Sequence, residues 1–279
     1  MSFMPRFTGR TPVDLETALR YVPSLGAAEA HASRSDRYTY IPTVDILRGL
    51  DREGFKIFNA TQSRTRDASR REFTKHMLRL RRVDAVAIGG SFPEIVLVNS
   101  HDGTSSYRMV GGIFRLVCSN GMIVSESEFG EIRVPHKGNI VDNVIDGAYR
   151  IVNQFDRIGG TVEEMRAITL NTRESEAMAR AAIPLRFDIE EGAPLPVTPS
   201  QALAARRGAD TGSDLWSTFN RLQENLVKGG IDVRRPDANG RIPRRGRASR
   251  EVTGIDQNVK LNQALFALAE EMAAIKAAA

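Results

Sequence analysis

Two apolar runs of strand character, Ile95-Val96-Leu97-Val98 and Phe114-Arg115-Leu116-Val117-Cys118, flank a cluster of short polar side chains, Asn99-Ser100-His101-Asp102-Gly103-Thr104-Ser105-Ser106. This stretch constrains the fold more than any other, because apolar runs closed by turn-forming residues are how a hairpin is built. They are also how a sheet presents a working edge. The stretch gathers the single cysteine and one of the four histidines.

The same pattern extends in both directions. Residues 55–60 and 72–82 read as strands joined by a polar, basic connection, residues 61–71. Pro93 opens a strand to Asn99, the His-Asp-Gly triplet turns the chain, and residues 107–117 return with a bulge expected at Gly111-Gly112. Asn120-Gly121 is a tight-turn signal, followed by short strands at residues 122–124 and 131–134. Upstream, residues 12–22 read as a short helix and residues 38–41 as a strand. Thr43 then caps a helix over residues 44–52 that presents Ile46, Leu47 and Leu50 on one face and stops at Gly54.

From Asn139 the period becomes helical: Ile140, Val144, Ile145, Ala148, Ile151 and Val152 form a stripe that Gly159-Gly160 is expected to close. A second helix is expected from Thr161, with Glu164 in capping-box spacing, and a third over residues 173–183. Residues 187–199 read as a loop, residues 215–227 as an amphipathic helix ending at Gly229-Gly230, and residues 257–276 as a terminal helix.

The fold class expected is therefore α+β, a curved, mainly antiparallel sheet backed by helices and followed by a helical C-terminal region. The divisions expected are a sheet domain over residues 1–135, a helical extension over 136–185, a linker over 186–212, and a last segment over 213–279 holding a helix, an arginine-rich arm and the C-terminal helix.

With 279 residues, 41% of them hydrophobic, the chain can bury a proper core without disulfides or structural metal. One cysteine excludes an internal disulfide and a cysteine-only zinc site. No secretory leader and no run of about 18 apolar residues is found, so the cytoplasm is the expected location. Phosphate-binding glycine patterns are missing: neither Gly111-Gly112 nor Gly159-Gly160 fits one, and no Gly-Lys-Ser/Thr occurs. No cofactor or metal is expected.

The net charge of +5 suits an anionic partner, and its distribution matters more than its size. Arg64, Arg66, Arg70, Arg71, Lys75, Arg79, Arg81 and Arg82 place eight positive charges within nineteen residues, against Asp67 and Glu72. If residues 73–82 are extended, His76, Leu78 and Leu80 share one face while Phe73, Lys75, Met77, Arg79 and Arg81 share the other. That second face could follow a phosphate backbone while its apolar members touch bases; equally, it could be a solvated outer face. Residues 231–250 hold seven arginines, Arg244, Arg245 and Arg247 among them, in the composition of a flexible arm. Trp216 and Phe219 read as core or subunit contacts.

His101 and Asp102 admit two readings. Imidazole and carboxylate can act as a general base with its orienting partner, or as metal ligands joined by His76 or His136. Alternatively they form a turn in which Asn99 and Asp102 accept backbone N–H bonds while Gly103 takes positive φ. Cys118, in an apolar strand, reads as a small core group rather than a nucleophile.

The motifs Asn99-Ser100-His101-Asp102-Gly103-Thr104 and Arg115-Leu116-Val117-Cys118 with Asn120 resemble those of the uncharacterised phage- and plasmid-like proteins grouped as a domain of unknown function. The resemblance covers about residues 38–155. The chain departs from many members after the second motif, where Gly121-Met122-Ile123-Val124 and further short strands replace a direct helix. The resemblance implies residence on a mobile element and association with DNA metabolism or host defence; it carries no established activity and no catalytic roles. Together with the basic segments it leads to an expectation of non-enzymatic nucleic-acid binding, in particular single-stranded DNA binding or annealing in recombination by a homo-oligomer. The alternatives are a factor that binds a host protein complex and a metal-dependent nucleic-acid enzyme.

Overall fold

A computed structural model describes residues 6–33, 40–88, 90–115, 121–123, 132–133, 140–237, 239 and 241–278. The chain divides into two compact units, Met1–Ile158 and Gly159–Ala279. The division falls inside the segment that the sequence assigned to a helical extension, and each unit holds its own buried residues.

Unit 1 is an antiparallel sheet with helices on one face, which bears out the α+β class. Its strands are β1 (Arg6–Val13), β2 (Phe55–Gln62), β3 (His76–Arg82), β4 (Ser91–Asn99), β5 (Arg108–Arg115) and β6 (Gly121–Ile123), in that order across the sheet. A short β7 (Ile132–Arg133) also pairs with β5. The helices are α1 (Leu15–Tyr21), α2 (Thr43–Arg52) and α3 (Ile140–Val152). Alternation in the strands sends Ile57, Leu78, Leu80, Ile95, Leu97 and Met109 into one core with Ile46, Leu47 and Leu50 of α2 and Val144, Ala148 and Ile151 of α3. Each such side chain larger than alanine, once fully buried, contributes about 1.5–3 kcal/mol.

Several local expectations need correction. Residues 6–13 form an edge strand where the sequence suggested only a helix from residue 12; Asp14 then caps α1, its carboxylate accepting from the Thr17 N–H at 2.7 Å. Tyr40 and Ile41 lie outside any strand, and residues 38 and 39 lie outside the described residues. The expected bulge at Gly111-Gly112 does not form, since Ile95↔Gly111 and Glu94↔Gly112 are in regular register. Gly111 serves instead to admit α3: a Cβ there would stand 3.2 Å from Ile151. The register slips occur in β1, between Thr8 and Val13, and in β2, between Ile57 and Asn59. The Asn120-Gly121 turn lies outside the described residues, apart from Gly121 at the start of β6.

Gly159-Gly160 does not end a helix. The break falls at Asn153 and Gln154, and α4 (Phe155–Ala167) runs through both glycines and through Thr161, so Thr161 is an interior residue of a helix rather than the start of one.

Unit 2 packs α5 (Thr172–Arg186), α7 (Leu215–Lys228) and α8 (Ile255–Ala278) against one another. Asn171 and Glu174 cap α5 reciprocally. Trp216 and Phe219 stack within α7, and Phe219 meets Phe266 of α8 edge-on at 6.3 Å, so both are core residues, as expected. The expected linker is partly built into this unit: α6 (Pro199–Ala202) is capped by Thr198, and Val197 and Ala202 are buried.

Candidate nucleic-acid interface

The connection from β2 to β3 is closed at its base. Ser63 N–H donates to the Lys75 carbonyl at 2.7 Å, and the Gln62 carboxamide donates to the Arg71 carbonyl. A short 3₁₀ turn, Ala68–Arg70, is capped by Asp67. Arg64, Arg66 and Arg71 are exposed, whereas Arg70 is half-buried and lies 3.7 Å from the Asp67 carboxylate; Lys75 is also half-buried. Three cations of this loop therefore face solvent.

Arg79 and Arg81 do not join them, and the expected basic row on β3 must be corrected. The period-two faces are as expected, with His76, Leu78 and Leu80 in the core, but Arg79 and Arg81 are only 6% and 7% exposed. Both bind one fully buried carboxylate, Glu94 of β4: Arg79 Nε donates to Oε2 at 2.6 Å and Arg81 Nε to Oε1 at 2.9 Å. Their guanidinium planes lie on aromatic rings, Arg79 on Phe114 at 3.8 Å and Arg81 between Phe58 at 4.0 Å and Phe92 at 4.1 Å. A buried guanidinium requires such partners, because an unpaired charge away from water costs several kcal/mol. Arg82 turns to Asp84 at 2.6 Å. Glu94 was not connected with these arginines from the sequence. The signal for it was a lone carboxylate inside an otherwise apolar strand.

The arginine-rich segment of unit 2 is folded rather than a loose arm. Strands β8 (Asp232–Val233) and β9 (Arg247–Ala248) pair, and Gly230 and Ser249, then Val252 and Val227, bond across the base at 2.8 Å. Gly246 N–H donates to the Asp232 carboxylate at 2.8 Å. Gly229, at φ 71°, ends α7 and packs against the Ser249 carbonyl so closely that a Cβ would stand 2.6 Å from it. On this support Arg241, Arg244, Arg245, Arg247 and Arg250 are all exposed. No acidic residue occurs from 238 to 250, Glu251 is taken by Lys228 at 3.1 Å, and Asp232 by Arg234 at 2.7 Å.

The motif at the end of β4 folds around a buried polar cluster. Thr43 Oγ1, at the start of α2, lies 3.2 Å from His76 Nε2 and 3.3 Å from His101 Nε2, and accepts from Asn99 Nδ2 at 3.1 Å. Ser24 Oγ meets His76 Nδ1 at 3.1 Å. These five side chains are buried. Burial pushes the His76 imidazole down to about 3, with His101 adding to the shift, and the His101 imidazole down to about 4 against the opposing influence of Ser24 and Asp102. Both rings are neutral at pH 7.

Asp102 does not orient His101. Its carboxylate accepts from Thr104 N–H at 3.0 Å and Thr104 Oγ1 at 2.6 Å, and Gly103 takes φ 74°, as the turn reading expects. Asn99, in contrast, donates to Thr43 instead of capping the turn. Of the suggested metal set, His76 and His101 meet, Asp102 does not join them, and His136 lies outside the described residues. Among the described residues no group of three or more His, Cys, Asp or Glu side chains is arranged to hold a metal. Cys118 and Asn120 also lie outside the described residues, as does the Arg115 side chain. Thr43, expected to cap α2, is instead its first residue, with Pro42 before it and no side-chain cap bond; its contacts with His76 and His101, and that of Ser24 with His76, were not foreseen from the sequence.

Fold and site together describe an α+β chain in which Asn99 and His101 are tied into a buried polar cluster, and in which, among the described residues, exposed arginines gather on the β2–β3 connection and around the β8–β9 pair. The chain belongs to the DUF932 family, a domain of unknown function, whose model matches residues 30–266. It is similar to the UPF0380 proteins YafZ and YfjQ of Escherichia coli strain K12, each 49% identical over 262 residues, covering 94% of this chain and 92% of the relative. No solved structure matches it. Among the described residues no helix is long and apolar enough to cross a membrane.

Proposed function

We propose that this protein is a non-enzymatic nucleic-acid-binding protein of a mobile element, acting on single-stranded DNA in binding or annealing during recombination. The observation that carries the reading is the folded basic loop of unit 2, where Arg241, Arg244, Arg245, Arg247 and Arg250 face solvent on a segment without a carboxylate. Concentrated, exposed guanidinium groups gain free energy by displacing counterions from a phosphate backbone. An ordered support lowers the conformational entropy lost on binding relative to a loose arm. Arg64, Arg66 and Arg71 supply a second set of contacts, and the reading puts the protein in the cytoplasm with its DNA.

The test is binding of a fluorescent oligo(dT) by the full chain over a salt series. Five phosphate contacts give a log–log slope of about −3.5 on a single strand. A flat salt response, or no binding at low salt, overturns the reading and directs attention to a protein partner.

A further inference from the structure

Strand β1 pairs with β2 at Arg6↔Thr61, Phe7↔Ala60 and Thr8↔Asn59, and next at Val13↔Ile57. Residues 9–12 of β1 thus stand against Phe58 alone, and the edge strand departs from its neighbour over that interval. Next to the point where it rejoins, a cavity of about 680 Å³ opens between β1, the start of α1, α2 and the first residues of β2. Its apolar wall is made by Val13, Leu15, Leu47, Phe55, Ile57 and Leu80. Leu80 and Phe55 are core residues at 1% and 2% exposure, so the cavity reaches the base of the hydrophobic core rather than skimming the surface. Its size falls in the range of about 300–1,000 Å³ that small-molecule sites occupy.

The charged residues at the cavity are not balanced. Asp51 is held by Lys56 Nζ at 2.6 Å, and Asp14 is committed to capping α1. The Thr17 N–H bond keeps the Asp14 carboxyl below its ordinary value, so it is ionised and occupied at pH 7. Arg48 makes only a long, exposed contact of 3.4 Å with Asp45, and Arg52 directs Nε to the Arg48 carbonyl at 3.3 Å. Two guanidinium groups one helical turn apart therefore stand beside an apolar cavity with their terminal nitrogens largely uncommitted.

We propose that this cavity is a binding site for a small amphipathic anion, a molecule with an aliphatic or aromatic body and one carboxylate. The body fills the space between β1 and α2, and the carboxylate sits at the mouth on Arg48 and Arg52, where planar guanidinium groups match its geometry. The site uses none of the residues assigned to nucleic acid and stands whether or not that assignment does.

The test uses anilinonaphthalene sulfonate as a fluorescent reporter on the full chain, displaced by decanoate, decanol or decyltrimethylammonium, each below its micellar concentration. Decanoate should displace the reporter at about a tenfold lower concentration than either uncharged or cationic analogue, the discrimination of one charge-assisted contact. In Arg48→Gln/Arg52→Gln that preference should fall to about threefold or less. Val13→Trp, which fills the cavity, should abolish reporter binding, with far-ultraviolet circular dichroism confirming the fold; Leu15→Phe is the milder filling variant should Val13→Trp unfold. Equal displacement by the three analogues overturns the proposal. So does undiminished reporter binding in a folded filling variant.

Discussion

Arg81 and Glu94 stand opposite each other on the sheet face turned away from the helices, one step beyond the Leu80↔Ile95 pair, with Arg81 Nε 2.9 Å from Glu94 Oε1. The same carboxylate takes Arg79 on its other oxygen, so a single acid holds two arginines that are almost wholly withdrawn from water. Removing the acid leaves two buried cations, whereas removing all three charges leaves an apolar gap. Glu94→Gln should therefore destabilise the chain by about 3–5 kcal/mol, and the triple replacement Arg79→Met/Glu94→Leu/Arg81→Met by much less. Urea unfolding followed by circular dichroism compares them. A triple variant as unstable as Glu94→Gln would mean that the charges themselves hold the sheet together.

This network also marks the limit of what could be read from the sequence. Alternation alone separated Leu78 and Leu80 from Arg79 and Arg81 correctly, because period two is a property of the strand backbone. What alternation cannot say is whether a face meets water, and here a carboxylate 13 residues away in the chain from Arg81 becomes its cross-strand partner. Asp102 and Gly103 were legible because an Asx turn is local, while Thr43 with His76 and His101 was not, since those contacts span 33 and 58 residues. The order of strands across the sheet was not legible either, because pairing is set by contacts between segments distant in the chain. Strand β1 was missed because an edge strand with Gly9, Thr11 and Pro12 carries little apolar alternation.

With Arg79 and Arg81 withdrawn, the proposed DNA binding rests on the exposed arginines of unit 2. Arg244→Gln/Arg245→Gln/Arg247→Gln should weaken oligo(dT) binding and make the log–log salt slope shallower by about 2, three phosphate contacts at about 0.7 each. Replacing Arg64, Arg66 and Arg71 together should act in the same direction. The measurement is fluorescence anisotropy across the salt series. An unchanged slope in the first variant would remove the loop from the interface.

The loop's order depends on a backbone approach that no side chain can share. A Cβ on Gly246 would lie 1.9 Å from the Val233 carbonyl oxygen, closer than any atom pair tolerates. Gly246→Ala should therefore break the β8–β9 ladder while α7 and α8 keep their packing. Limited trypsin digestion should cut after Arg244, Arg245 and Arg247 markedly faster in the variant, since the protease needs a locally opened chain. Equal cutting rates would show the segment to be loose already in the native protein.

The buried histidines fix how unit 1 responds to acid. His76 and His101 have folded values near 3 and 4, below the ordinary imidazole value of 6.5, because burial disfavours the charged ring. The unfolded chain takes up protons on these groups as pH falls below about 6.5, while the folded chain does not until about pH 4. Their contribution is thus complete above pH 6.5 and is lost progressively as pH falls, by roughly 1.4 kcal/mol per pH unit for each ring. His101→Gln should reduce that slope by about half. Residues 159–279 contain no histidine and include Trp216, the single tryptophan. Hydrogen exchange in peptides from β3 and β4 should accelerate between pH 7 and pH 5 after correction for intrinsic rates, while urea unfolding followed by Trp216 fluorescence should barely move. Acceleration that survives replacement of both histidines would assign the acid response to other groups.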